Sequence, residues 1–322
     1  MEFQISNRQL TTDQVDAECA WSVVGFPLSV FHWYCPVVSD ARLHHRRFFV
    51  LPEHIRNGWV EFAPAQARQI TQVLRLRLGD RVAVFDGTGR EIVAALATAT
   101  PRQASARILR EVPRVGPPAL SVTLAQVIPR GSAMDLIVGK ATELGVSRIV
   151  PLEAERSVRR ATARGPRWRR IAQEAAEQCG RPDLPELAPI ASLEAYLCGH
   201  PEGVPLVACD PSEGSRPLVS VCRDLHGVTA LTLLVGGEGG LSPDEIERLR
   251  SPGVHLASLG PRLLRAETAA LAALAVIQAI LGDGALRETT GQGHGPRQVV
   301  AAAAQREDPR RLPEGPWPAS SS

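Results

Sequence analysis

Two short stretches carry glycine where a ligand would need close backbone approach. The first is Gly236-Gly237-Glu238-Gly239-Gly240, and the second runs Leu259-Gly260-Pro261-Arg262-Leu263-Leu264-Arg265-Ala266-Glu267-Thr268. Each follows an apolar run and precedes a helix-like run, about one βα unit apart. Neither is a Walker-type phosphate loop, which needs GxxxxGK[ST], and neither reads GxGxxG. Glu238 would repel phosphate. A neutral or cationic ligand suits the first loop better: a nucleoside with a ribose to hydrogen-bond, or a sulfonium. In the second loop the backbone can read an adenine edge while Leu263 packs on the ring. Plain tight turns would use the same glycines, so the glycines alone leave both readings open.

The elements around these loops decide where they stand. From Leu120 onward strands and helices alternate. SVTLAQVI reads as a strand, SAMDLIVGKATELG as a helix stopped by Gly145, and VSRIVPL as the next strand. On that helix Met134, Ile137, Val138, Ala141 and Leu144 share one face. RWRRIAQEAAEQCG is a helix closed by Gly180, and VPLVACD, LTLLV and VHLASL are further strands. Ser242, Pro243 and Glu245 form a capping box that opens a helix. ETAALAALAVIQAIL is a long apolar helix. Such alternation implies a parallel sheet covered by helices, an α/β class. Ligands of such sheets sit at the carboxyl ends of the strands, where both glycine loops fall.

The N-terminal part reads differently. RRFFVL is a strand, AQARQITQVLRLRLG a short helix ending at Gly79, and RVAVF-DGTG-REIVAALAT a hairpin. SARILREV adds a strand. Residues 46–115 are thus a small β-rich domain, a compact barrel, and VPRVGPP (112–118) is a linker. Residues 119–283 are the α/β domain, 1–45 match no pattern, and 284–322 read as a disordered tail.

Of the 36 lysines and arginines, 35 are arginine and Lys140 is the single lysine; net charge is only +2. A GC-rich genome accounts for the bias, and the single lysine at Lys140 then either does something a guanidinium cannot or survives by chance. The six cysteines form no CxxC pair, so no metal site is expected, and scattered cysteines read as a reduced, cytoplasmic chain. Trp21–Val38 is apolar but broken by Pro27, His32 and Pro36, and acids rather than bases precede it. It is read as neither a signal peptide nor a membrane span. From Arg156 to Arg170 stand seven arginines, Trp168 and no acid, a composition suited to phosphate contacts with one aromatic for stacking. Arg46, Arg47, Arg75, Arg130, Lys140, Arg167, Arg169 and Arg170 are candidate phosphate contacts, with a plain solvated, arginine-biased surface as the alternative.

GGEGGLSPDEI followed by SLGPRLLRAETAALAAL resembles the RsmE family, the 16S ribosomal RNA uracil-N3 methyltransferases of the SPOUT superfamily. RGSAMDLIVGKATELGVSRIVPL, ERSV, AEQCGRPDLPEL, RRFFVL, VLRLRLGD and VFDGTGRE extend the likeness over residues 46–283. The resemblance implies a PUA-like N-terminal barrel, a C-terminal SPOUT domain with a deep trefoil knot, a homodimer, and S-adenosylmethionine (SAM) as methyl donor. It places cofactor contacts at Gly236, Glu238, Gly239, Leu259, Gly260, Leu263, Arg265 and Thr268. The chain departs from the family at Gly237 (usually proline), Ala266 (usually threonine), Ala133 (commonly lysine) and Gln69 (often histidine).

The chemistry implied is methyl transfer to N3 of a uridine in 16S rRNA of the small subunit. Most of the acceleration then comes from proximity and in-line alignment, since the donor already carries a good leaving group. N3 lies on the Watson–Crick edge, so the base must be unpaired or flipped. No compelling general base stands out; Arg265 is placed to stabilise negative charge on a uracil oxygen. Two alternatives share these residues: action on tRNA or large-subunit RNA, and a non-catalytic RNA-binding assembly protein.

Overall fold

The computed structural model describes Leu43 and residues 46–113, 118–157, 165–211 and 214–282. The N-terminal extension apart from Leu43, the linker at 114–117, the middle of the arginine-rich segment at 158–164 and the C-terminal tail lie outside the described residues. The chain divides into two compact units: residues 1–116 with 173–184, and residues 117–172 with 185–322.

The first unit contains β1 (Arg47–Phe49), β2 (Ile55–Arg56), β3 (Trp59–Phe62), α1 (Pro64–Arg68), β4 (Arg81–Phe85), β5 (Glu91–Ala99) and β6 (Ala104–Val112). Its sheet runs β1-β4-β5-β6-β3-β2. The expected hairpin is present, with Phe85 opposite Glu91 across antiparallel β4 and β5. Val82, Val84, Ile92, Ala94 and Leu96 face one core with Phe48 and Phe62. The pairing of β5 with β6 shifts register twice, the kind of irregularity that bends a sheet.

Two differences from the sequence reading stand here. The short helix does not reach Gly79: α1 ends at Arg68, a π turn spans Gln69–Val73, and Arg75 takes a left-handed φ of 52°. Leu76 is thereby turned inward, 6% exposed, with its N–H on Ile70 O. Burial of Leu76 outweighs another turn of exposed helix. The β2–β3 hairpin is an addition, although its turn is Asn57-Gly58, both at positive φ, a strong hairpin signal.

Arg47 is a further correction. Its side chain is 1% exposed, paired with Glu91, and its guanidinium lies 4.9 Å from the Phe85 ring centroid. It therefore makes no RNA contact. Burial pushes the Glu91 carboxyl up from its usual range, against the pull of Arg47 and Arg110. Removing one partner of such a buried pair strands a charge and costs about 3–5 kcal/mol.

The second unit contains β7 (Ser121–Val127), α2 (Ala133–Glu143), β8 (Arg148–Glu153), α3 (Gly165–Cys179, whose second half belongs to the first unit), β9 (Glu186–Leu187), β10 (Ala191–Ser192) and α4 (Leu193–Cys198). There follow β11 (Leu206–Cys209), β12 (Arg216–Pro217), α5 (Leu218–Asp224), β13 (Ala230–Val235), α6 (Pro243–Arg248), β14 (Val254–Ser258) and α7 (Ala266–Ile280). Strand pairing is parallel throughout, in the order β10-β8-β7-β13-β11-β14-β12, with β9 also on β8. Alternate residues feed two cores. Val122, Leu124, Ile149, Leu231 and Leu233 meet α2, α5, α7 and Trp168, while Ala125, Val127, Val150, Leu152 and Leu234 meet α4 and α6. Met134, Ile137, Val138 and Ala141 form the buried face of α2, and Gly145 turns the chain after it at φ 79°.

Candidate active site

A cavity of about 290 Å³ opens at the carboxyl ends of β11, β13 and β14. Gly236, Glu238, Leu259, Gly260, Leu263 and Arg265 line it together. Gly239 and Thr268 do not. Gly239 lies on the outer side of its loop, where an added Cβ would sit 3.0 Å from Arg156 Cβ. Thr268 is exposed in the first turn of α7. The cavity also takes Cys209, Asp210 and Pro211 from the end of β11. Sequence reasoning missed these three, and the only signal for them was the rule that strand ends carry ligands.

The first loop is fixed from several sides. Gly240, at φ 63°, donates its N–H to Gly237 O at 3.0 Å and closes the turn. The Glu238 carboxylate accepts the Arg130 N–H at 2.8 Å, bracing this loop on the one after β7. Arg156 Nη1 reaches Gly239 O at 3.4 Å and Leu241 O at 3.5 Å. The capping box then starts α6: Ser242 N–H donates to Glu245 Oε2 at 2.8 Å and Glu245 N–H to Ser242 Oγ at 3.2 Å. Glu245 Oε1 accepts the Glu155 N–H at 2.8 Å, so one carboxylate serves two chain segments.

The second loop turns at Gly260, whose φ of 109° favours glycine, and the Gly260 N–H donates to Ser258 Oγ at 3.2 Å. Leu263 at the mouth is 89% exposed, an apolar side chain available to a ligand ring. Arg265 is the residue before the first turn of α7, in extended conformation and with no side-chain cap. The N-terminus of a 15-residue helix, with its partial positive charge, thus meets the cavity wall at Ala266 and Ala269.

Among the described residues, the cavity lining contains two acids, Asp210 and Glu238, two bases, Arg262 and Arg265, and no histidine, tyrosine or lysine. Burial pushes the Cys209 thiol up to about 12, reinforced by Cys222 and Asp210. Burial therefore disfavours the thiolate that a nucleophilic role would need. Among the described residues, no group of three or more His, Cys, Asp or Glu side chains is arranged to hold a metal ion.

The cationic residues scatter. Arg46 is half-exposed beside Asp80 and Arg75 is exposed. Arg130 is exposed beside the first glycine loop, to which its N–H is bonded. Lys140 pairs with Glu143 at 2.8 Å and Arg167 with Asp135 at 2.7 Å, both from exposed positions. Arg169 and Arg170 are exposed on α3. Trp168 is not a stacking platform. It is 2% exposed, packs in the core, and donates Nε1–H to Asp135 Oδ1 at 3.1 Å. The sequence held a clue: Trp168 recurs with Ala172, Ala175 and Ala176 at helical spacing, the inward stripe of an amphipathic helix.

Residues 117–278 match the family model of an RNA methyltransferase domain, and residues 65–109 that of an RNA methyltransferase PUA domain. Parallel sheet, carboxyl-end cavity and these two models define an RNA methyltransferase. The "Ribosomal RNA small subunit methyltransferase E" of Synechocystis sp. is 34% identical over 238 residues, covering 73% of this chain and 78% of that protein. The protein of the same name from Bacillus subtilis is 29% identical over 253 residues, covering 72% and 95%. A crystal structure of a ribosomal RNA small subunit methyltransferase E from Neisseria gonorrhoeae, bound to S-adenosyl methionine, superposes with a TM-score of 0.67 at 34% identity, covering 74% of this chain and 98% of that one. The chain belongs to the ribosomal RNA small subunit methyltransferase E family.

Proposed function

We propose that the protein transfers a methyl group from SAM to N3 of a uridine in 16S rRNA of the small ribosomal subunit. The observation that carries this is the cavity at the carboxyl ends of β11, β13 and β14, walled by both glycine loops at once. The similarity to the SAM-bound Neisseria gonorrhoeae structure supports the donor.

The cavity residues fit the cofactor chemically. About 290 Å³ lies near the lower end of small-molecule sites, which run about 300–1,000 Å³. Leu259, Leu263 and Ala257 offer apolar surface for a purine, and glycine backbone lets polar groups approach closely. Glu238 and Asp210 bring negative charge to a site for a cationic donor. When bound, SAM supplies an activated methyl on a sulfonium. The chain's own part is placement: the two loops fix the donor while the rest of the protein fixes the base. Arg265, on the cavity wall beside the first turn of α7, is positioned to stabilise negative charge on the uracil as its N3 proton leaves.

The finer architecture belongs to the same reading. The second unit is a SPOUT domain whose chain is tied in a trefoil knot, consistent with β11 lying between β13 and β14. The first unit closes into a PUA-like barrel, consistent with its register shifts. Residues 46–115 grip RNA and 119–283 bind the cofactor. Arg46, Arg75, Arg130, Lys140, Arg167, Arg169 and Arg170 contact RNA phosphates. The protein works in the cytoplasm as a homodimer, without a membrane partner; no helix among the described residues is long and apolar enough to cross a membrane.

Labelled SAM incubated with unmodified small subunits, large subunits and tRNA, followed by nucleoside mass spectrometry, tests this. The expected product is 3-methyluridine in small-subunit RNA alone. Methyl on another RNA would change the substrate, and SAM failing to bind would overturn the enzyme reading.

A further inference from the structure

Gln126 stands next to last in β7, between Ala125 and Val127, and is itself 0% exposed. Central strands of parallel sheets are normally apolar on both faces. Burying a primary amide is destabilising unless its polar atoms are bonded. Here only half of them are. Nε2 donates to Val127 O at 2.9 Å and reaches Gly236 O at 3.3 Å and Val235 O at 3.4 Å. Oε1 is buried without a hydrogen-bond partner. Stability does not account for such a residue, because an unpaired buried acceptor is destabilising and an apolar side chain would fill the space without that loss.

What the amide does is local to the first glycine loop. β7 pairs with β13 so that Gln126 stands opposite Val235, the last residue of β13. Gly236 is the first residue beyond the ladder, and its carbonyl is held inward by Nε2. A trans peptide is planar, so its C=O and N–H point in opposite directions. With Gly236 O turned toward the sheet, the Gly237 N–H is turned away from it. Gly236 and Gly237 both line the cavity. A Cβ on Gly237 would lie 3.3 Å from Val127 Cγ1, so this position offers its peptide rather than a side chain.

We infer that Gln126 is a positioning residue: by holding the Gly236 carbonyl, it presents the Gly237 N–H to an acceptor atom of the cofactor. This rests on the reading of the cavity as the SAM site. Gln126→Met keeps length and apolar volume while removing both the donor and the orphaned acceptor. Gln126→Glu keeps the shape and sets carboxylate oxygen against three carbonyls. The measurements are calorimetric SAM titration and thermal unfolding of the full chain, with the Gly237 amide followed by NMR on protein labelled with ¹⁵N-glycine.

The expected result for Gln126→Met is a melting temperature at or above that of wild type with SAM affinity about tenfold weaker. Gln126→Glu should weaken it further. The Gly237 amide should shift on SAM binding in the wild type. A purely structural role would instead lower the melting temperature and leave the affinity of the folded protein alone. SAM affinity of folded Gln126→Met within twofold of wild type overturns the inference, as does a Gly237 amide unmoved by saturating SAM. If neither variant folds, Gln126 is a packing requirement and the inference fails as well. Wild-type protein that takes up no SAM overturns the cofactor reading itself, a result distinct from all of these.

Discussion

The strands β11 and β14 each reach two cavities. At their amino ends a cavity of about 580 Å³ is lined by Leu206, Val254, His255, His200 and the turns at Gly203 and Gly253. At their carboxyl ends lies the cavity of about 290 Å³ between the glycine loops. The larger one has ionisable groups, Glu194, Cys198, His200, Glu202, Arg248 and His255, but no braced glycine loop. Its walls are the ends of short helices and Pro-Gly turns, and burial lowers the pKa of His200, whose Nε2 lies 3.0 Å from Thr232 Oγ1. The smaller one gathers two braced loops, the positive end of α7, and Asp210 from the end of β11. Volume measures how loosely loops pack, whereas loop bracing marks where a ligand has to be held in one pose.

The largest effect that separates the two ends is expected from Gly239→Arg. Even a Cβ there meets Arg156 at 3.0 Å, so the loop must move. SAM binding by calorimetry should fall at least about a hundredfold, equivalent to about 2.7 kcal/mol, while circular dichroism stays native. Retained affinity would place the cofactor elsewhere. Next comes Glu238→Ala, which frees the Arg130 N–H brace and should weaken SAM about tenfold. Replacing Arg167, Arg169 and Arg170 together with alanine should leave SAM affinity unchanged and flatten the salt dependence of RNA binding. An unchanged salt slope in filter binding would reduce them to a solvated helix face.

Two cysteines sharpen the contrast chemically. Cys198 is exposed beside the amino-end cavity, whereas the Cys209 thiol in the carboxyl-end cavity is pushed up to about 12. A thiol reacts as its thiolate, so alkylation mapped by mass spectrometry at pH 8 should label Cys198 and spare Cys209. Labelling of Cys209 should rise only as pH approaches its pKa. Equal rates at pH 8 would contradict the burial assigned to the cavity wall. The smallest effect belongs to His200→Ala, which should change SAM affinity less than twofold and lower stability by about 1 kcal/mol through the lost Thr232 contact.

What is legible in the chain is local. The capping box at Ser242 and Glu245, the stop at Gly145, the DGTG hairpin and the alternation that makes a parallel sheet all depend on neighbours within a few residues. What is not legible depends on distant partners. Arg46 and Arg47 are adjacent and alike, yet one faces solvent beside Asp80 and the other is sealed against Glu91, 44 residues away. Trp168 reads as a stacking aromatic among arginines, and only packing puts its ring in the core. Cys209 and Asp210 join the cavity only because β11 is inserted between β13 and β14. Gln126 reads as an ordinary strand residue, and its significance lies in a carbonyl 110 positions along the chain.

Hydrogen exchange with and without SAM, read by mass spectrometry across both ends of β11 and β14, tests the central claim most directly. Slowed exchange in residues 236–242 and 259–268, with 199–205 and 248–255 unchanged, is the predicted result. Protection confined to the amino-end turns would contradict it.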